Sequence, residues 1–196
     1  MENNIYAAPV ADLETPVSIK TQAHFYVVSI KKFSVLFIAT MGIYLVYWFY
    51  KNWSNYKKAT NDGIWPVARA IFSIFFVHSL FEQVSYRKEK QDRDTEWDYK
   101  AGATMIVVLM IVQRLLDRFS MKEIGSPFTD IGSILAAFLM MPFFIKAQRM
   151  INLSEGDSHG EANKHFTAAN IIWIILGVIF WTLALVGMFV PQTALQ

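Results

Sequence analysis

The chain has 196 residues, 54% of them apolar and only 17% charged, with 18 Lys+Arg against 16 Asp+Glu. So even a balance speaks against nucleic acid as a partner, which calls for a strongly basic face. The chain has no cysteine, which excludes disulfides, iron–sulfur clusters and thiolate zinc sites and leaves the redox compartment open.

Residues 1–25, MENNIYAAPVADLETPVSIKTQAHF, lack the basic start and apolar run of a signal peptide and carry Glu2, Asp12 and Glu14. Residues 1–32 are therefore expected to form a cytoplasmic tail. Five apolar stretches follow. Residues 33–50 and 64–81 are eighteen residues each, the first without charge and the second with one arginine. Residues 101–112 continue through Gln113 and Arg114 to Leu116, 131–145 are charge-free, and 171–190 are twenty uncharged residues. A helix needs about 20 apolar residues to cross a hydrocarbon core of roughly 30 Å. The last stretch meets that length and the first nearly does. The third and fourth reach it as 102–119 and 128–146, a hairpin with MKEIGSPF at its tip and Gly125 and Pro127 as turn residues.

The expected fold is all-α: a helical transmembrane bundle of five segments, 33–50, 64–81, 102–119, 128–146 and 170–190, with a C-terminal tail at 191–196. A soluble bundle fits poorly, because a soluble helix keeps a polar face and 171–190 has none. The alternative membrane fold has four spans, with 64–81 lying in the interface. The positive-inside rule does not choose between them, giving eleven Lys+Arg inside against six outside for five spans, and twelve against six for the alternative. Arg69 and Ser73 share one side of a 64–81 helix while His78 falls on the other. An interfacial helix would gather its polar residues, so five spans are preferred.

Tyr44, Tyr47, Trp48, Tyr50 and Trp53 stand at the end of the first stretch, followed by Lys57 and Lys58. Tyr and Trp favour the boundary of hydrocarbon and headgroups, so these rings read as an interfacial aromatic belt. Residues 82–100 alternate basic and acidic side chains and read as a solvated helix with local ion pairs. Residues 151–170, broken by Gly156 and Gly160, read as a flexible connection, with a helix starting near Ala162.

Several polar residues are candidates for function. Arg69 lies within an apolar stretch, where a charge is a functional-site hypothesis by default, against the commoner reading of a side chain reaching for headgroups. His78 and Glu82, four apart, share a helix face and could form an interfacial hydrogen bond or relay a proton; two ligands are too few for a metal. Arg114, Asp117 and Arg118 could cap the interface or form an anion or headgroup site. Glu155, Asp157, His159, Glu161 and His165 are metal-ligand types without a recognised spacing, so no metal, cofactor or catalytic set is assigned. Gly132 with Ala136 and Ser133 with Ala137, each four apart, let helices approach closely, within the chain or between protomers of a homo-oligomer. Gly177 is a further candidate.

Residues 25–53 (FYVVSIKKFSVLFIATMGIYLVYWFYKNW), 67–81 (VARAIFSIFFVHSLF), 147–153 (AQRMINL) and 162–187 (ANKHFTAANIIWIILGVIFWTLALVG) carry a resemblance to a family of small, uncharacterised bacterial inner-membrane proteins. The stretch NIYAAPVADL (4–13) is similar to a tail found ahead of many bacterial membrane proteins, with Ile5 where proline is usual. The resemblance implies a multi-span protein of the bacterial inner membrane and implies no activity. The expected function is a non-catalytic membrane module that organises lipid or binds a protein partner through 82–100. A small oligomeric channel or transporter and a lipid-acting membrane enzyme are the alternatives.

Overall fold

A computed structural model describes residues 23–90 and 96–189, with the side chains of 188 and 189 excepted. Among these residues the chain is helical and without strands. The tail at 191–196, most of 1–32 and residues 91–95 of the 82–100 connection lie outside the described residues.

Helix α1 spans Ile30–Ala39. Ser29 starts it, its Oγ accepting from Lys32 N at 3.3 Å, which satisfies one of the free N–H groups of the first turn. The helix stops in the middle of the first apolar stretch. Met41 (φ 52°) and Gly42 (φ 83°) take the left-handed conformation, and α2, Tyr44–Thr60, begins after Ile43. The turn is closed on itself: Thr40 Oγ1 donates to Leu36 O at 2.8 Å and accepts from Tyr44 N at 2.9 Å. Gly42 N donates to Phe37 O at 3.0 Å, and Met41 N to Ile38 O at 3.2 Å.

Asn61 (φ 58°) ends α2. Pro66 opens α3, Pro66–Ile71, a position where its missing N–H costs nothing. A break at Phe72 separates α3 from α4, Ser73–Lys90. Helix α5 covers Tyr99–Ser120, capped by Asp98 accepting from Ala101 N at 2.9 Å. Helix α6 covers Phe128–Ser154 and contains Pro142. A tip at 121–127 joins the two helices; it includes a cis Ser126–Pro127 bond, and Asp130 accepts from Ser126 Oγ at 2.6 Å and from Ser120 Oγ. A 3-10 turn at Glu161–Asn163 precedes α7, Ala168–Phe189.

These breaks correct the span count. Among the described residues three helices are long and apolar enough to cross a membrane: α5, α6 and α7. Segments 33–50 and 64–81 do not cross as single helices, because the left-handed pair Met41–Gly42 and the break at Phe72 cut each into two arms. The last helix starts at Ala168 rather than near Ala162. Helices α5 and α6 form the antiparallel pair expected of 102–119 and 128–146, and α6 runs eight residues further, to Ser154.

The extra length of α6 enters a core at one end of the molecule, the head. There Phe144, Ala147, Gln148, Ile151 and Asn152 are fully buried with Phe25, Val28, Trp48, Phe49, Trp53, Phe81 and Val84. The rings meet edge to face, Trp48 against Phe49 (centroids 5.0 Å apart) and against Phe144 (5.7 Å), the geometry the ring quadrupoles favour. The aromatic residues of α2 therefore divide. Tyr44, Trp48 and Trp53 recur every four or five residues and face this core, while Tyr47 and Tyr50 lie on the outer surface.

Candidate functional site

Two polar constellations stand out in this fold. The first is a clasp at the head. Residues 24–29 run through a bend at His24–Phe25 and have no helix or sheet to take their backbone hydrogen bonds. Buried amide side chains of α2 and α6 supply them. Asn52 Oδ1 accepts from Tyr26 N at 3.0 Å, and Gln148 Nε2 donates to Tyr26 O at 3.1 Å. Asn152 meets Val28 on both sides, accepting from its N–H at 3.3 Å and donating to its carbonyl at 2.9 Å. Gln148 ties the set together, donating to Asn152 Oδ1 at 2.7 Å and accepting from Trp48 Nε1 at 2.5 Å. Leaving any of these groups unpaired would cost about 1–3 kcal/mol.

The 155–165 segment closes over the same strip. Glu155 accepts from His24 N at 3.0 Å and pairs with Arg87 of α4 at 2.6 Å. Asn163 Nδ2 donates to Val27 O at 3.0 Å. Lys32, buried at the start of α1, donates to Asn163 Oδ1 at 2.7 Å and His165 O at 2.6 Å, and burial pushes its pKa down. Gly160 (φ 70°) lies so close that a Cβ there would stand 2.5 Å from Val28 C and Ser29 N. Asp157 accepts from Glu161 N at 2.9 Å and Ala162 N at 2.8 Å. Burial alone would raise its pKa, but these N–H groups and that of Gly160 draw it below the ordinary carboxylate value. The connection expected to be flexible is thus an ordered strap.

The second constellation is a cavity of about 390 Å³ where the apolar stretches break. The α1–α2 turn (Met41, Gly42, Ile43) and the α3–α4 break (Ile71, Ser73, Ile74) form one wall, and Gln113, Arg114 and Asp117 of α5 line another. A smaller cavity of about 140 Å³ shares Met41, Gly42, Gln113 and Asp117 and reaches Ser133 and Trp181. Asp117 is fixed by the hydroxyl of Ser133. Arg114 is exposed beside it. A guanidinium, an amide and a carboxylate facing one apolar-walled space can hold a small polar or charged group.

The other sequence candidates fall as follows. The Arg69 guanidinium lies 4.3 Å from the Trp53 ring centroid and 5.1 Å from that of Phe76, so aromatic faces accommodate its charge. His78 Nε2 stands 3.1 Å from Thr104 Oγ1 of α5, and Glu82 is exposed one turn on. Arg118 is exposed beyond the cavity. Among the described residues no three His, Asp or Glu side chains converge on a metal position. His159 meets Ser158, and Glu161 pairs with Lys164 at 2.6 Å. The small residues of α6 face α5: a Cβ on Gly132 would stand 3.2 Å from Leu116, while Ser133 bonds Asp117 and Ala136 is buried. Ala137 packs on the core and lines both cavities.

Sequence reasoning did not single out the clasp. Its signal was present: Gln148 and Asn152, and likewise Trp48 and Asn52, are spaced four apart at the ends of apolar runs, the spacing of one helix face. No family model, curated protein or solved structure matches the chain.

Proposed function

We propose that this membrane protein is a non-catalytic module that organises the lipid around it and presents its ordered head to a protein partner. The observation that carries the reading is the division of the surface. Helix α7 is apolar on every side, and only 6% of its apolar window is buried, so its partner is hydrocarbon. The head instead spends its buried polar groups on holding residues 24–29 and 155–165 in a fixed shape. On that shape Tyr86, Lys90 and Glu82 of α4 are exposed, within the 82–100 connection expected to meet a partner.

Arg114, Arg118 and Lys122 are the described basic residues at the 121–127 end, whereas Lys31, Lys57, Lys58, Arg87, Lys90, Arg149 and Lys164 belong to the head end. By the positive-inside rule the head faces the cytoplasm. The bacterial inner membrane as the location rests on the sequence resemblance. Crosslinking in native membranes from photoreactive groups at Tyr86 and at Glu161 tests the partner. Partners recovered from the head positions and not from Met121 support the reading; uniform recovery from all three contradicts it.

A second reading, a small oligomeric channel or transporter, is favoured by the polar lining of the 390 Å³ cavity. Its test is solute flux in liposomes. Flux abolished by Asp117→Asn or Arg114→Ala and kept in Arg69→Ala would support it, and absence of flux from the unaltered chain would reject it.

A further inference from the structure

We infer that α1–α2 and α3–α4 are re-entrant hairpins that enter and leave the leaflet on the head side, so that these four helices displace lipid from that leaflet only. The inference rests on the membrane reading above and adds which lipids the hairpins meet. The argument begins with length. The charge-free part of the first hairpin is Phe33–Ala39 in one arm and Tyr44–Tyr50 in the other. Seven residues at 1.5 Å rise make an arm of about 10 Å, against roughly 30 Å for the hydrocarbon core. The six residues of α3 are shorter still. Neither hairpin can reach beyond the middle of a bilayer.

Contacts fix the side. Residues 26 and 52 flank the first hairpin and are joined by the hydrogen bond from Tyr26 N to Asn52 Oδ1. Phe25 stacks on Tyr56 at 5.9 Å, Tyr56 bonds Gln83 in the outgoing arm of the second hairpin at 3.0 Å, and Arg87 of the same arm bonds Glu155. The entry and exit of both hairpins, and the end of α6, are therefore at one end of the molecule. Depth follows from α7. Ala39, at the end of α1, lies against Gly177, the tenth of the 22 residues of α7, so the turn sits near the midpoint of a spanning helix.

Backbone at that depth must be satisfied within the protein, and it is. The turn bonds its own N–H groups, and Trp181 Nε1 of α7 donates to Ile38 O at 2.8 Å. The outward side chains match hydrocarbon: Ile43, Val46, Ile71, Phe72 and Phe75 are all exposed, continuous with the bare apolar surface of the spanning helices. A water-facing turn of this length would carry polar residues instead.

The cysteine-free chain makes the test direct. Single cysteines replace the exposed residues Thr60, Glu161 and Met121, and each variant is reconstituted in vesicles of known protein orientation. Labelling with a membrane-impermeant maleimide is expected to reach Thr60→Cys and Glu161→Cys from the same side and Met121→Cys from the opposite side. Thr60→Cys labelling with Met121→Cys would restore five crossings and overturn the inference while keeping the membrane reading. All three labelling from one side, or protein released by carbonate, would overturn both. A bimane on Ile43→Cys or Ile71→Cys reads depth independently. Stronger quenching by mid-chain doxyl lipid than by a headgroup quencher supports the inference, and quenching by aqueous iodide alone refutes it.

Discussion

Replacing Gly177 by alanine probes a glycine that has no room for a Cβ. A Cβ at this position would meet Ala39 O and would stand 2.6 Å from Ala39 C, where ordinary contact begins at 3.4 Å, a shortfall of about 0.8 Å. The obstacle is backbone and cannot swing aside, so α7 and the end of α1 must part. That movement stretches the 2.8 Å bond from Trp181 Nε1 to Ile38 O, one turn away. Overpacking costs about 1–3 kcal/mol, and a lost interhelical bond in lipid about 0.6–1.7 kcal/mol. Alanine returns about 1 kcal/mol as the better helix former. The net expectation is a loss of about 0.6–3.7 kcal/mol. Gly187→Ala is the matched control: it lies on the same helix with nothing within 4 Å of its Cβ, and it should gain stability. Unfolding in mild detergent, followed by tryptophan fluorescence against added SDS, reads both. If Gly177→Ala is as stable as Gly187→Ala, α7 does not cross the end of α1 at this point, and the depth assigned to the first hairpin falls with it.

Gly160→Ala should loosen the strap, because it adds a Cβ 2.5 Å from the Val28–Ser29 backbone at a φ of 70°; faster proteolysis at 155–165 with unchanged membrane insertion is the expected result. Gln148→Leu leaves Trp48 Nε1 and Tyr26 O without their bonds, and at about 1–3 kcal/mol per orphaned group it should destabilise the head more than the exposed control Glu82→Gln, in the same SDS titration. Asp157 has a native pKa lowered from 3.8, so the unfolded chain binds more protons than the native one between the two values, and stability is lost as pH falls through the native pKa. A spin label on Ser158→Cys should therefore gain mobility as pH drops from 3.8 through the native value, and Asp157→Asn should remove that dependence.

The sequence carried the helical class and the three spanning helices, because 171–190 is a full-length apolar run, 101–112 and 131–145 reach that length with their flanks, and length is what a bilayer selects. It misled at 33–50 and 64–81 for a physical reason. Hydropathy records where charge is absent, and a re-entrant arm is as uncharged as a crossing one. The only local mark of the first turn is Gly42, one glycine in an apolar run, and a Gly inside a helix pattern is usually tolerated. The second break, at Phe72, has no mark at all. Arg114 and Asp117 were legible as a cluster, yet only the fold shows them in one cavity with Met41 and Ser73, residues far off in sequence. The belt rings of α2 were readable as amphipathic aromatics, but which of them face inward depends on α6 reaching back over them.

That reach connects the hairpins to the head. A helix of 27 residues is about 40 Å long, roughly a third longer than the hydrocarbon core. The surplus is the last turns of α6, and these carry Gln148, Asn152 and, just beyond, Glu155. The amides that clasp residues 24–29 thus stand at the rim of the bilayer, where a hairpin that does not cross must begin. A crossing helix is held by the membrane itself, since withdrawing it exposes about 20 apolar residues to water. A half-depth hairpin has about half that apolar surface per arm to anchor it and needs its ends tied. Asn52 holds the exit of the first hairpin to Tyr26 at its entrance, and Arg87 ties the helix that leaves the second hairpin to Glu155. The clasp is the structural counterpart of the short arms, and most buried polar side chains among the described residues, Asn52, Gln148 and Asn152 with them, gather at the head, with Thr40 at the first turn and Ser133 on α6 apart from it.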